Sequence, residues 1–520
     1  MKKTEVVWIG SKSGCKEQMC NSYNLKWNDS VFTVLGIHFT SDLADIEKLN
    51  FSPKICSIEN DLKLWSKRNI STLGRITVIK TLLLPKLTHL LFTIPSPCKS
   101  TIKQLNDLFF SYIWKSKRDK VSRKQMIKNY SNGGCRMIDI FTYIKSIKLS
   151  LFRRLVSSNC DWSALFCNTA HCEVKKLVIY GDEYSKQCAR KTKNLFWKES
   201  LQILNEFMKI TDQNEINPTG KSLLYNSVLL IDNEPIKFKK FQENNIIFVH
   251  DLFDSNGNML SLQGLNENFS IELCFTTYIG LRRSLFRAWP SLKNGLGNKV
   301  SPSIPSFIKL LFKDKKGTRS LYDLWISKVE HSEKYKEKWR INQISSNVNW
   351  EKINDNVFTC TESKKLQWLQ YRIIHRVLGT NRSLFFMNIK DSPQCSFCSQ
   401  QDETIQHLFF ECNHVYELLS NFEIWINTNS EHPINLNKTE YLLGVIGKEN
   451  KALNTLYLLT KAYIYESKLK GERLNLELMK KQILLYVKTE KYIHRKNDTL
   501  DLFLVKWNNF SFLTDATGQN

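Results

Sequence analysis

Two spacings of apolar residues divide this chain. Up to about residue 54 the pattern is that of short strands. Thr-Glu-Val-Val-Trp-Ile at 4–9 and Phe-Thr-Val-Leu-Gly-Ile-His-Phe at 32–39 are β-prone runs joined by a polar loop with Gly14 and three Asn. They predict a small β hairpin with no room for a large sheet. From Ile55 onward helical periodicity takes over. Leu73, Ile76, Ile79 and Leu83 fall on one side of a helix that Ser71 caps and Pro85 ends. The helical pattern continues through Lys99–Trp114 and Ile138–Val156, broken by a turn at Asn132-Gly133-Gly134. The middle third, about 160–355, is mixed, with loops near 213–220, 254–257 and 293–305.

Between Leu366 and Leu378 the pattern is amphipathic. Leu366, Leu369, Ile373 and Val377 form an apolar stripe, and Lys365, Trp368, Arg372 and Arg376 form a second stripe at the same spacing. That second stripe reads equally as a solvated face or as a surface for a ligand. Residues 454–490 are again helical, and Asp515–Asn520 are expected to fray. There is no internal repeat and no low-complexity tract. The pattern as a whole predicts a mainly α, multi-domain chain with a short β hairpin near its start.

Composition sharpens this picture. At 520 residues the chain exceeds the size at which a single core stops growing, and 42% apolar content supplies several cores. The longest apolar stretch, Val78–Pro95, is interrupted by Lys80, Pro85 and Lys86, so no membrane span is expected. Met1 is not followed by a charged and then apolar leader. Fourteen cysteines in so long a chain suit reduced thiols of nucleus or cytoplasm, and secretion is not expected. The net charge of +25 and pI near 9.4 suit a polyanionic partner. Residues 1–160 alone hold 27 Lys and Arg against 11 Asp and Glu, an excess of 16, with Trp65, Tyr112 and Trp114 among them. Aromatic faces beside cations favour nucleic acid.

One motif carries definite chemistry. Cys395, Cys398, His407 and Cys412 read Cys-x2-Cys-x8-His-x4-Cys. Two cysteines three positions apart chelate one ion from a tight turn, and a His and a third Cys complete a tetrahedral set of soft ligands, the pattern of structural zinc. With all four positions filled by protein, the metal organises a fold and activates no water. His414 is also within reach of the ion, but the spacing favours His407. Asp402 and Glu403 fall in the same loop and are expected to be exposed. Cys160, Cys167, His171 and Cys172 lack the Cys-x2-Cys spacing and read as buried thiols. No phosphate-binding Gly-x4-Gly-Lys-Ser/Thr run occurs, so a nucleotide-driven motor has no support.

Longer stretches resemble a known family. Residues 65–87, Trp-Ser-Lys-Arg-Asn-Ile-Ser-Thr-Leu-Gly-Arg-Ile-Thr-Val-Ile-Lys-Thr-Leu-Leu-Leu-Pro-Lys-Leu, resemble the segment after the palm in reverse transcriptases of non-LTR (LINE-type) retrotransposons. Phe109–Trp114, Gly133-Gly134 and Met137-Ile138-Asp139 resemble their thumb. Residues 371–380, Tyr-Arg-Ile-Ile-His-Arg-Val-Leu-Gly-Thr, with Cys395-Ser-Phe-Cys398 and His407-Leu-Phe, resemble their zinc-binding region. Residues 3–10 resemble the strand after the family's catalytic Asp-Asp hairpin, and Val34-Leu35-Gly36-Ile37 its primer grip.

The resemblance implies a division into a palm remnant (1–54), a helical thumb (55–160), a helical connector (161–355), a zinc-binding module (356–425) and a C-terminal helical region (426–520). The family's endonuclease, fingers and most of its palm would precede Met1. Polymerisation requires paired carboxylates to hold two Mg2+ ions, and no Asp-Asp pair occurs in this sequence, so no polymerisation is expected of the chain alone. Lys3 would correspond to a residue assisting pyrophosphate departure and would have nothing to assist.

The expected partners are template RNA and primer or target DNA, with no membrane. Lys67, Arg68, Arg75 and Lys80 are candidates for contacts to a duplex backbone. Arg372 and Arg376 are candidates for RNA or DNA near the zinc, with Trp368 stacking on an unpaired base. The competing expectation is a domesticated zinc-containing module that docks a protein.

Overall fold

The computed structural model describes residues 5–8, 26–28, 31–40, 42–157, 161–212, 218–296, 306–314, 317–327, 334–340, 348–447 and 449–515. Lys3, Cys160 and residues 516–520, on which expectations were placed, lie outside the described residues. The chain is mainly helical, with short strands near its start. Strand β1 (Glu5–Val7) pairs in parallel with β2 (Lys26–Asn28). Strands β3 (Val31–Val34) and β4 (Ile37–Thr40) form an antiparallel hairpin in the register Val31 to Thr40 and Val34 to Ile37.

The run 32–39, expected as one strand, is therefore the hairpin itself. Its two-residue turn is Leu35-Gly36, both at positive φ (50° and 76°), the geometry that matches strand twist and that glycine adopts without strain. Phe32 and Phe39 stack across the pair with ring centroids 5.4 Å apart. Asn50 fixes the hairpin to helix α1 (Ile46–Ser66): its amide accepts from His38 N at 2.8 Å and donates to His38 O at 2.8 Å.

Helix α2 (Thr72–Val78) begins where expected, with the Ser71 hydroxyl accepting from Gly74 N at 3.1 Å. A wide π turn at Ile79–Leu83 follows, and Pro85 opens α3 (Pro85–Thr93), where its missing N–H costs nothing. Helix α4 (Lys99–Trp114) matches its expected bounds, and α5 (Ile140–Ser157) follows the glycine turn. Next in chain order come α6 (Leu195–Asp212), α7 (Arg319–Ser327), α8 (Trp350–Thr359), α9 (Lys364–Ile374), α10 (Asn381–Phe386), α11 (Asn413–Asn429) and α12 (Lys438–Leu443). Helices α13 (Lys451–Lys470), α14 (Leu476–Lys496) and α15 (Leu500–Trp507) close the series, and Gly471 at φ 70° ends α13 inside the predicted 454–490 helical run.

The chain forms two compact units. The first comprises Met1–Asn60, Leu83–Asn106 and Asp139–Lys328, the second Asp61–Leu82, Asp107–Ile138 and Val329–Asn520. The core of the first unit gathers around α5 and α6, with Phe152, Phe166, Leu201 and Phe207 at 2% exposure or less. Two cations of α5 are buried with it. Lys148 Nζ donates to Ile94 O at 2.9 Å, and Arg153 Nε donates to Leu311 O at 2.9 Å. Burial pushes the Lys148 pKa down to about 8, although Glu199 at 3.7 Å opposes that shift.

In the second unit, α9 is central and packs against α2, α8, α12 and α13. Leu366, Leu369 and Ile373 are buried as their spacing requires, each contributing roughly 1.5–3 kcal/mol. Trp368 stacks on Tyr371 (5.1 Å, 12°) and lies 6.0 Å from Trp114. The turn at 130–134 docks on the same helix: Tyr371 and Gln125 both donate to Gly133 O, at 3.2 and 2.7 Å. Gly134 is required there, because a Cβ would sit 1.9 Å from Lys128 O. Lys461 of α13 is buried and donates to Gln370 Oε1 at 2.6 Å and Tyr441 O at 2.9 Å, and burial pushes its pKa down to about 7. No single helix among the described residues is long and apolar enough to cross a membrane.

Candidate metal centre

Cys395 and Cys398 occupy a knuckle. Cys395 N donates to Gln401 O at 2.8 Å, Ser399 N to Cys395 O at 3.0 Å, and Glu403 N to Pro393 O at 2.8 Å. Ser399 takes the left-handed conformation (φ 54°) that lets so short a loop close. Phe397 N lies 3.4 Å from Cys395 Sγ and donates to it, stabilising a thiolate.

The other two ligands come from one wide turn. Residues His407–Glu411 form a π turn, closed by Cys412 N donating to His407 O at 3.0 Å. In an α-helix two residues five apart point about 140° away from each other. The wider turn brings His407 and Cys412 to the same side, a use of π turns that recurs at functional sites.

All four ligand atoms, the three Sγ and a His407 ring nitrogen, lie within 4.8 Å of one another. Cys395 and Cys412 Sγ are 3.9 Å apart, and Cys398 Sγ is 3.3 Å from His407 Nε2. A tetrahedron with metal to sulfur bonds of about 2.3 Å has edges of about 3.8 Å, so the spacing fits zinc. Cys395 donates to Cys412, a hydrogen bond that pushes the Cys412 thiol down and the Cys395 thiol up, so one proton is held between two ligands that a metal would bind as thiolates. His414 is exposed on α11 and lies outside the cluster.

Glu403 departs from expectation. It is fully buried, where the sequence suggested an exposed carboxylate. Oε1 accepts from Asn381 N at 2.7 Å and pairs with the Lys468 ammonium, and Oε2 accepts from Ser396 N at 3.0 Å, inside the knuckle. Asn381 also donates to Gln394 O at 2.7 Å, and Lys468 to Gly379 O at 3.0 Å. The carboxylate therefore joins the knuckle to α10 and α13, with both oxygens hydrogen-bonded and its charge paired, the condition under which a buried ion pair is tolerated. Asp402 remains exposed, 3.6 Å from Arg382.

The residues expected to meet nucleic acid divide into groups. Lys67 and Arg68 are exposed, with Arg68 over the Trp65 ring at 4.3 Å. Lys80 is half-buried, with Nζ donating to Arg136 O at 3.2 Å.

Arg75 is 1% exposed and cannot reach a phosphate. It sits on the inner face of α2, where Nη1 donates to Tyr112 O at 2.6 Å and Nε to Ile70 O at 3.3 Å. The stripe Lys365, Trp368, Arg372 and Arg376 is not one surface either. Helix α9 ends at Ile374, and Arg376 is left-handed (φ 54°), donating to Lys338 O at 3.2 Å beside Trp339, while Lys365 pairs with Glu466. Trp368 is half-buried between Trp114 and Tyr371.

Arg372 has company that sequence reasoning missed. The Lys120 pKa is lowered by desolvation and then by the neighbouring charges of Arg372 and Lys117, which puts both cations near Lys120. Arg372 Nε is buried without a hydrogen-bond partner among the described residues. The signal was the run Lys115-Ser-Lys-Arg-Asp-Lys120 directly after Trp114. Residues 317–418 match the family model described as zinc-binding in reverse transcriptase. The four ligands fall within that match, and this part of the chain is a reverse-transcriptase-associated zinc-binding region.

Proposed function

We propose that the chain is the C-terminal part of a LINE-type reverse transcriptase, comprising palm remnant, thumb, connector and zinc module, and that it holds template RNA and primer or target DNA. The observation that carries this reading is the exposed basic run Lys115, Lys117, Arg118 and Lys120 directly after Trp114, with Arg372 near Lys120, in the same unit as the zinc ligands. Exposed cations close together in sequence gain from a polyanionic backbone laid across them. Lys67 and Arg68 beside Trp65 add exposed charge on that unit. Zinc acts here as a clamp on the fold.

The test is a salt titration of the full chain against RNA and duplex DNA. Each neutralised duplex phosphate contributes a slope of about 0.9 in log affinity against log salt. Replacing Lys117 and Lys120 together by Ala should weaken binding and flatten the slope by up to about 2. A salt-independent affinity, or unchanged binding by the double variant, would instead favour the domesticated protein-docking module.

A further inference from the structure

Helix α14 buries one side and leaves the other without a partner. Met479, Ile483, Val487 and Glu490 face the protein, and the last is held by Lys506 and by Trp507 Nε1 at 2.8 Å. On the opposite side Leu478, Leu485 and Tyr492 are 53%, 65% and 60% exposed. They stand seven residues apart, which places them about 10.5 Å apart along an almost straight line with a drift of about 20° per step. Large apolar side chains in a regular row on a surface mark an interaction site.

Charge says what covers the row. Lys481, Lys488 and Arg495 repeat at the same interval on one flank, and Gln482, Thr489 and Lys496 on the other, all exposed. None of Lys481, Lys488 or Arg495 forms an ion pair among the described residues, and Lys496 lies over the Tyr492 ring at 5.6 Å. On the same helix Glu477 is paired with Lys480, and Glu490 faces the protein. A second copy of this helix would set cation against cation. Even with Ile493, 44% exposed, beside its end, this row is too narrow to sink a helix into a membrane surface, which needs a broad apolar face. Nucleic acid would use the cations and leave the evenly spaced apolar residues idle.

We infer that the outer face of α14 docks an acidic amphipathic helix of a protein partner, whose apolar residues at heptad spacing meet Leu478, Leu485 and Tyr492 and whose carboxylates meet Lys481, Lys488 and Arg495. Apolar seams with charged flanks that select the partner are the logic of paired helices. The test uses the full chain and a labelled synthetic helix with Leu at every seventh position flanked by Glu, followed by fluorescence anisotropy.

The peptide should bind. Leu485→Ser should weaken it by about tenfold or more, as should the triple reversal Lys481→Glu, Lys488→Glu, Arg495→Glu. A Lys-flanked peptide should bind the reversed chain and ignore the native one. All four positions are exposed, so circular dichroism should be unchanged in every variant. No binding of the Glu-flanked peptide, failure of the charge swap to restore binding, or a stronger response of this face to phosphatidylserine vesicles or duplex DNA would overturn the inference.

Discussion

Replacing Glu403 by Gln tests how the zinc region is held. The substitution preserves shape but removes the charge from a site with no solvent exposure, opposite a Lys468 side chain that is 4% exposed. Three donors converge on this carboxylate: Asn381 N, Ser396 N and the Lys468 ammonium. The amide can still accept from one or two of them but leaves Lys468 a buried cation without a counter-charge. Breaking such a pair from one side costs about 3–5 kcal/mol, and an orphaned backbone N–H adds about 1–3 kcal/mol.

Where the amide NH2 takes the place of Oε2, Ser396 N loses its acceptor, which loosens the knuckle between Cys395 and Cys398. Outer groups of this kind are worth about 10–100-fold in metal affinity. Chelator competition with a chromophoric indicator measures that affinity, and urea denaturation of the zinc-loaded chain measures stability. Adding Lys468→Met removes the stranded charge and should recover about 2 kcal/mol or more of the loss. If Glu403→Gln binds zinc as the native chain does, or if the double variant is no more stable than the single one, the carboxylate does not act as described.

Two further outcomes follow from the same reasoning. Burial pushes the His375 pKa down to about 3, against about 6.5 unfolded, so below about pH 6.5 the unfolded chain takes up a proton that the folded one refuses. This group should lower stability by about 1.4 kcal/mol per pH unit as pH falls from about 6.5 toward 3, and His375→Gln should flatten urea midpoints measured across that range; equal slopes would refute it. Primer extension on an RNA template with Mg2+ should give no product from this chain, which has no Asp-Asp pair, and nucleotide-dependent extension would reveal a catalytic centre the sequence reading missed.

What the sequence disclosed was local. The Cys-x2-Cys spacing and the Ser71 cap depend on neighbours within a few residues, and both hold in the structure; the helix expected to run to Pro85 instead widens into a π turn at Ile79, and Pro85 opens the next helix. The fate of charges was not legible, because it depends on segments far apart in sequence. The charge of buried Glu403 is met by Lys468 from 65 residues away, and Arg75 turns inward to donate to the Tyr112 carbonyl. The stripe through Arg376 failed for a related reason. Helical spacing continues on paper past Ile374, but the backbone leaves the helix there, and Arg376 turns to Lys338 O. A π turn has no periodicity of its own to read, so the sequence offered His407 and Cys412 as ligands without showing how one turn presents both.

The most direct test of the account is X-ray absorption at the zinc edge on the purified full-length chain, combined with metal analysis. The account predicts one zinc per chain, with three sulfurs at about 2.3 Å and one nitrogen at about 2.0 Å, and one sulfur fewer in Cys398→Ala. A chain that holds no zinc, or a first shell of oxygens unaffected by that substitution, would contradict it.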